Sequence, residues 1–162
     1  MASIYIETSI VSYLRERQAS HVVAAARQIL TKRWWSDERQ KYTLVTSQYV
    51  IDEACLGDSV LAQERLLHLD DLPLLAVDPE ILVLADALMS SAALPRKAEA
   101  DALHIAIAAW HGVEYLLTWN CTHLANARTL PVIQRVLRDR DAVAPIICTP
   151  ENLMSDDTQL DD

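Results

Sequence analysis

Ser3-Ile4-Tyr5-Ile6-Glu7-Thr8-Ser9 is a short apolar run that ends abruptly in polar residues. Three β-prone residues run into an acid and two hydroxyls. On one reading this is a first strand followed by a helix cap, with Ser9 as the N-cap. On the other, Glu7 sits at the C-terminal end of a central strand, the edge where open α/β sheets bind their ligands. The choice depends on whether other polar residues arrive at the same edge.

Working outward, Thr8-Ser9 opens a short helix over residues 10–14, with Arg15 and Arg17 at its end, where cations suit the helix dipole. From His21 a long helix follows. Val22, Ala26, Ile29, Leu30 and Arg33 recur at helical spacing and Trp34 extends that face. Residues 42–46 are short and β-rich, a second strand. The next helix carries Tyr49, Val50, Ile51, Ala54 and Cys55 and ends at Gly57. Another starts at Asp58 or Ser59 and reaches about residue 69. Residues 72–77 read as a third, buried strand. Pro79 suits the first position of a helix whose core face is Ile81, Leu84, Ala85 and Leu88. Residues 94–98 form a loop, 100–111 an apolar helix closed by Gly112, 113–118 a fourth strand, 131–140 a helical patch and 145–148 a last strand. Strands alternating with helices predict an α/β domain with a parallel sheet and helices on both faces.

Composition narrows the function. The 162 residues, 51% of them hydrophobic, suit one folded domain. No apolar run would cross a bilayer, and no signal pattern opens the chain, so a cytoplasmic protein without membrane association is expected. Cys55, Cys121 and Cys148 read as free thiols. Only Gly57 and Gly112 are glycines, which excludes the usual phosphate-cradling loops. The net charge is −9, and residues 151–162 hold five acids and no base, −5 of the total. That segment reads as a disordered acidic tail after a domain spanning 1–150. The remaining acidity weakens a nucleic-acid reading without excluding it, because a bound cation would offset clustered carboxylates.

Glu7 ends strand one, Glu53 lies on the helix after strand two, Asp101 opens the helix after the 94–98 loop, and Asn120 follows strand four. In a parallel sheet all four approach one crevice at the C-terminal strand edge. Clustered carboxylates repel unless a cation neutralises them. Oxygen ligands suit Mg²⁺ or Mn²⁺, and such ions polarise phosphoryl oxygens and activate water. Metal-assisted phosphodiester hydrolysis is the expected chemistry. His104, one turn after Asp101, lies beside the site. Cys121 and His123 lack a second pair at zinc-binding spacing. Arg15, Arg96, Lys97 and Arg128 are candidate phosphate contacts. Trp34, Trp35 and Trp119 are candidates for base stacking, the first two more naturally for packing.

The sequence resembles PIN-domain proteins of the kind found as the toxin of VapBC-type toxin–antitoxin pairs. The resemblance rests on Tyr-Ile-Glu-Thr-Ser at 5–9, the Glu53 helix, Asp-Ala-Leu-His-Ile-Ala-Ile-Ala at 101–108 and Leu-Leu-Thr-Trp-Asn-Cys-Thr-His at 116–123. It covers roughly residues 3–150, and 101–108 is its most specific part. It implies a three-layer α/β/α PIN-like fold, a Mg²⁺- or Mn²⁺-dependent endoribonuclease whose metal ligands are Glu7, Glu53 and Asp101, and a catalytic set completed by Asn120. Thr8 or Ser9 would support the site through hydroxyl hydrogen bonds; beside the resemblance, the residues themselves offer His104 and His123 as supporting groups and Arg15, Arg96 and Lys97 as candidate RNA contacts. The implied partners are an RNA substrate, a cognate antitoxin and a second copy of the chain.

Two positions depart from the family pattern. The first acid is usually Asp, and Glu7 moves the carboxylate outward by about 1.5 Å. The fourth is often Asp, and Asn120 offers an oxygen without charge. These departures keep a PIN-like RNA- or protein-binding module with weak or no catalysis as an alternative. A different phosphotransfer enzyme with an aspartyl nucleophile is a further one, opposed by Glu7.

Overall fold

A computed structural model describes residues 1–91 and 94–155. The elements, in chain order, are β1 (Ser3–Ile6), α1 (Thr8–Ser12), α2 (Val22–Asp37), β2 (Thr43–Ser47), α3 (Gln48–Ala54), α4 (Ser59–Leu69), β3 (Leu74–Leu75), α5 (Pro79–Ser90), α6 (Glu99–Trp110), β4 (Tyr115–Leu117), α7 (Leu130–Arg138) and β5 (Ile146–Cys148). The strands form one sheet in the order β3-β2-β1-β4-β5, and every pairing is parallel. The fold is therefore the expected three-layer α/β/α arrangement. Among the described residues no helix is long and apolar enough to cross a membrane.

The register explains why β1 is central. Tyr5 pairs with Val45 on one side and Leu116 on the other. Ile4, Tyr5 and Ile6 have no exposed surface, as expected for a strand covered on both faces. Each buried Ile contributes about 1.5–3 kcal/mol of apolar transfer. Strand order reverses across β1 and β4, so the crevice of an open sheet falls between their C-terminal ends. Glu7 follows one of these strands and Thr118 the other. Right-handed crossovers place the helices of the two half-sheets on opposite faces, and they pack as two groups, α1 with α3 and α4, and α5 with α6 and α7.

Local chemistry sets the boundaries. Gly112 adopts φ +64°, and the amides of Gly112 and Val113 return to the carbonyls of Ala109 and Ala108, closing α6 with a Schellman turn. Pro79 opens α5, and Ile81, Leu84, Ala85 and Leu88 are its buried face, as the periodicity predicts. Three expectations differ. The cap of α1 is Glu7, whose side chain accepts from the Ser9 amide, so Ser9 is inside the helix. The third strand is the two-residue edge strand β3 with Leu74 half exposed, because it has a neighbour on one side only. On α2 the buried face is Gln28, Thr31, Trp34 and Trp35, while Val22 and Ile29 face outward. That polar face is satisfied: Gln28 bonds the Ala19 amide and the Arg17 carbonyl, and Thr31 accepts from the Trp119 indole at 2.7 Å.

The chain continues to pack past residue 150. Pro150–Leu153 forms a 3-10 turn, and Ser155 donates to the buried Glu38 at 2.6 Å. The greater part of the expected disordered tail, residues 156–162, lies outside the described residues.

Candidate functional site

Glu7 leaves β1 in an extended conformation and its amide still bonds the Leu117 carbonyl at 3.2 Å. Its side chain turns back over the start of α1 and is 94% buried (6% exposed). Oε2 accepts from the Ser9 amide at 3.1 Å, from the Ser9 hydroxyl, and from the Thr118 hydroxyl at 2.7 Å. These donors are themselves held, because Ser9 Oγ accepts from the Trp119 amide and Thr118 Oγ1 from the Asn120 amide. Two switch-point loops are thus tied through one carboxylate oxygen. Among the described residues nothing donates to Oε1.

Glu53 approaches from α3 and remains one-third exposed. Its Oε1 accepts from Thr8 Oγ1 at 2.8 Å and from His104 Nε2 at 2.7 Å. His104, fully buried on α6, is fixed on its other side by the Tyr5 hydroxyl, 2.8 Å from Nδ1. Tyr5 in turn lies 2.7 Å from Ser47 Oγ at the end of β2. Burial pushes the Glu53 carboxyl up, but the hydrogen bond and charge of His104, with the Thr8 hydroxyl, hold it below the usual carboxylate range. Burial likewise disfavours a charged His104. The bond to Glu53 and the charges of Glu7, Glu53 and Asp101 outweigh this and raise it above the ordinary imidazole value. The two directions agree on an ionised pair. Burial, with Glu7 and Glu53 adding to it against the Ser47 bond, raises the Tyr5 phenol far beyond its ordinary range, so it stays protonated.

One ligand atom each from Glu7, Glu53 and His104 lie within 4.8 Å of one another. This donor set fits a divalent cation. Asp101 belongs to a second cluster. Its Oδ1 accepts from Asn120 Nδ2 at 3.0 Å and its Oδ2 from His123 Nδ1 at 2.9 Å, while Asn120 Oδ1 caps the His123 amide. A carboxylate acceptor places the hydrogen on Nδ1 of His123, and Nε2 accepts no hydrogen bond among the described residues.

The structure therefore brings Glu7, Glu53, Thr8, Ser9 and His104 together, and gathers Asp101, Asn120 and His123 beside them through Thr118. Tyr5, Ser47 and Thr118 escaped the sequence reading as site residues. The alternation of β1 and the hydroxyls ending β2 and β4 were the available signals. The cationic candidates are dispersed. Arg15 borders a hollow of about 540 Å³ shared with Asp58 and Glu64, and Arg96 one of about 460 Å³ shared with Asp86 and Glu99. Lys97 is exposed in the 3-10 turn before α6. Trp119 is buried beneath Arg27, whose guanidinium lies 5.3 Å from its ring, which removes it from base stacking.

Fold and site define a class: an α/β/α protein with a carboxylate–imidazole cluster at the switch point of a parallel sheet. No protein-family model matches the sequence, and no curated protein matches it as a relative.

Proposed function

We propose that the protein is a metal-dependent endoribonuclease of the PIN-domain kind, acting as the toxin of a toxin–antitoxin pair. The observation that carries this reading is the convergence of Glu7 and Glu53, held by hydroxyl and imidazole donors, at the mouth of a β3-β2-β1-β4-β5 parallel sheet. Glu7 and Glu53 would hold a Mg²⁺ or Mn²⁺ ion, with Asp101 as the third acid of the resemblance. When bound there, such an ion would supply Lewis-acid polarisation of a phosphoryl oxygen and activation of water. The chain's own residues do the positioning. Ser9 and Thr118 fix the Glu7 arm, Thr8 fixes Glu53, and Asn120 and His123 lock Asp101. Arg15, Arg96 and Lys97 would meet the RNA backbone. A cognate antitoxin or a second copy would cover exposed apolar surface, such as the hollow of about 300 Å³ lined by Val83, Leu84, Trp110 and Ala142.

A second reading, an RNA- or protein-binding module without catalysis, is favoured by one observation. His104 Nε2 lies 2.7 Å from Glu53, so a protonated His104 is itself a counter-charge for that carboxylate. Incubating purified protein with end-labelled RNA in Mn²⁺ separates the two. The nuclease reading expects cleavage that EDTA abolishes and that Glu53→Gln reduces by more than about 100-fold. RNA bound intact by wild-type protein in Mn²⁺ would instead select the binding module.

A further inference from the structure

We propose that His104, and not Asp101, is the third protein ligand of the ion held by Glu7 and Glu53, making a two-carboxylate, one-imidazole site that prefers Mn²⁺ to Mg²⁺. The inference shares with the proposed function the premise that an ion binds between Glu7 and Glu53.

Four observations carry it. First, His104 Nε2 and Glu53 Oε1 are 2.7 Å apart. Two donors about 2.1 Å from one ion and at right angles are about 3.0 Å apart. An ion can therefore replace the shared hydrogen if the two atoms separate by only about 0.3 Å. Second, Glu7 presents a free oxygen. Three donors occupy Oε2, and none among the described residues reaches Oε1. Third, a metal-ligating histidine normally gives its other N–H to a fixed acceptor, which sets the ring's tautomer and orientation. Here Nδ1 faces the Tyr5 hydroxyl at 2.8 Å, and Tyr5 can accept that hydrogen while donating its own to Ser47. His104 is thus held in the attitude that ligation by Nε2 requires, with the ring immobilised by burial. Fourth, both oxygens of Asp101 are engaged, one by Asn120 and one by His123. Asp101 is already held at both oxygens by Asn120 and His123, away from Glu53, whereas recruiting His104 exchanges a proton for an ion at an atom already beside Glu53.

The ion preference follows from the ligand type. Mg²⁺ favours oxygen and keeps several waters, whereas imidazole suits the first-row transition ions. Replacing an acid by an imidazole also lowers the negative charge at the ion by one, which weakens Mg²⁺ binding most.

The test reads the ion directly. Full-length protein is loaded with Mn²⁺ and examined by electron spin-echo envelope modulation, with Mn²⁺ and Mg²⁺ affinities from calorimetry. We expect imidazole-nitrogen modulation in wild type and in His123→Gln, and its loss in His104→Gln. That loss should accompany a Mn²⁺ affinity lower by about 10- to 100-fold and a smaller change for Mg²⁺. If His104→Gln does not fold, the wild-type and His123→Gln spectra still decide the question. Mn²⁺ bound without nitrogen modulation, or with modulation that His123→Gln removes, overturns the proposal. Nitrogen-coupled Mn²⁺ in a protein that cuts no RNA would sustain this ligand set and defeat the ribonuclease reading. Metal-dependent cleavage without nitrogen coupling would do the reverse, and absence of Mn²⁺ binding would overturn both.

Discussion

Two polar clusters share one sheet edge and are built on different plans. Glu7, Glu53 and His104 come from three separate elements, and their donors converge so that one Glu7 oxygen is left over. Asp101, Asn120 and His123 form a half-buried knot in which the Asp101 carboxylate is used at both oxygens. Acids that arrive at the same edge are therefore not equivalent. The first cluster leaves one Glu7 oxygen without a donor among the described residues, and the second closes on itself and braces the loop after β4.

The sharpest way to break this contrast is at Glu7. Asp caps helices well, so Glu7→Asp should keep α1, but its shorter arm would not reach Thr118 from the same backbone. We expect RNA cleavage to fall by about 10- to 100-fold, measured under saturating Mn²⁺. Activity equal to or above wild type would mean that the crevice is not built around the longer acid.

Asp101→Asn probes the closed cluster. The substituted amide can still accept from His123, but it sets an amide NH2 donor against the amide NH2 donor of Asn120. A smaller loss is expected, about tenfold in cleavage and about 1–3 kcal/mol in stability, with Mn²⁺ affinity little changed. Loss of Mn²⁺ binding would place Asp101 with the open cluster. Calorimetry and thermal melts of the one variant give both readouts.

A gentler separation uses pH on metal-free protein. Glu53 is held below its ordinary value of 4.5, so its contribution is present above that value and is lost as pH falls through the lowered one. His104 is raised above 6.5, so its contribution is complete below 6.5 and is lost as pH rises through the raised value. Stability from the pair should be greatest between these limits. Melts across the pH range in EDTA check this, and His104→Gln should flatten the alkaline limb relative to wild type.

The sheet was legible because its signals are local. The apolar runs of β1 and β4, Pro79 before α5 and Gly112 after α6 each state their own structure. The four polar residues at the switch point were legible from topology, since strand ends in a parallel sheet share one edge. Their grouping was not. α6 is apolar on nearly every side, so periodicity cannot say which way His104 points, and that direction decides whether it or Asp101 meets Glu53. The buried face of α2 departs from its apolar spacing for a related reason. Gln28 and Thr31 are buried because Ala19, Arg17 and Trp119 supply distant partners, which a count of apolar spacing does not contain. The shortness of β3 likewise reflects its edge position, which the sequence of 72–77 does not encode.

On the proposal above, Glu7 and Glu53, with His104, form an ion site from which Asp101 stands apart. Anomalous scattering from crystals soaked in MnCl₂ tests it most directly. One peak is expected, bounded by a Glu7 oxygen, a Glu53 oxygen and His104 Nε2, with Asp101 still bonded to Asn120 and His123. A peak coordinated by Asp101, with His104 still bonded to Glu53, would contradict it.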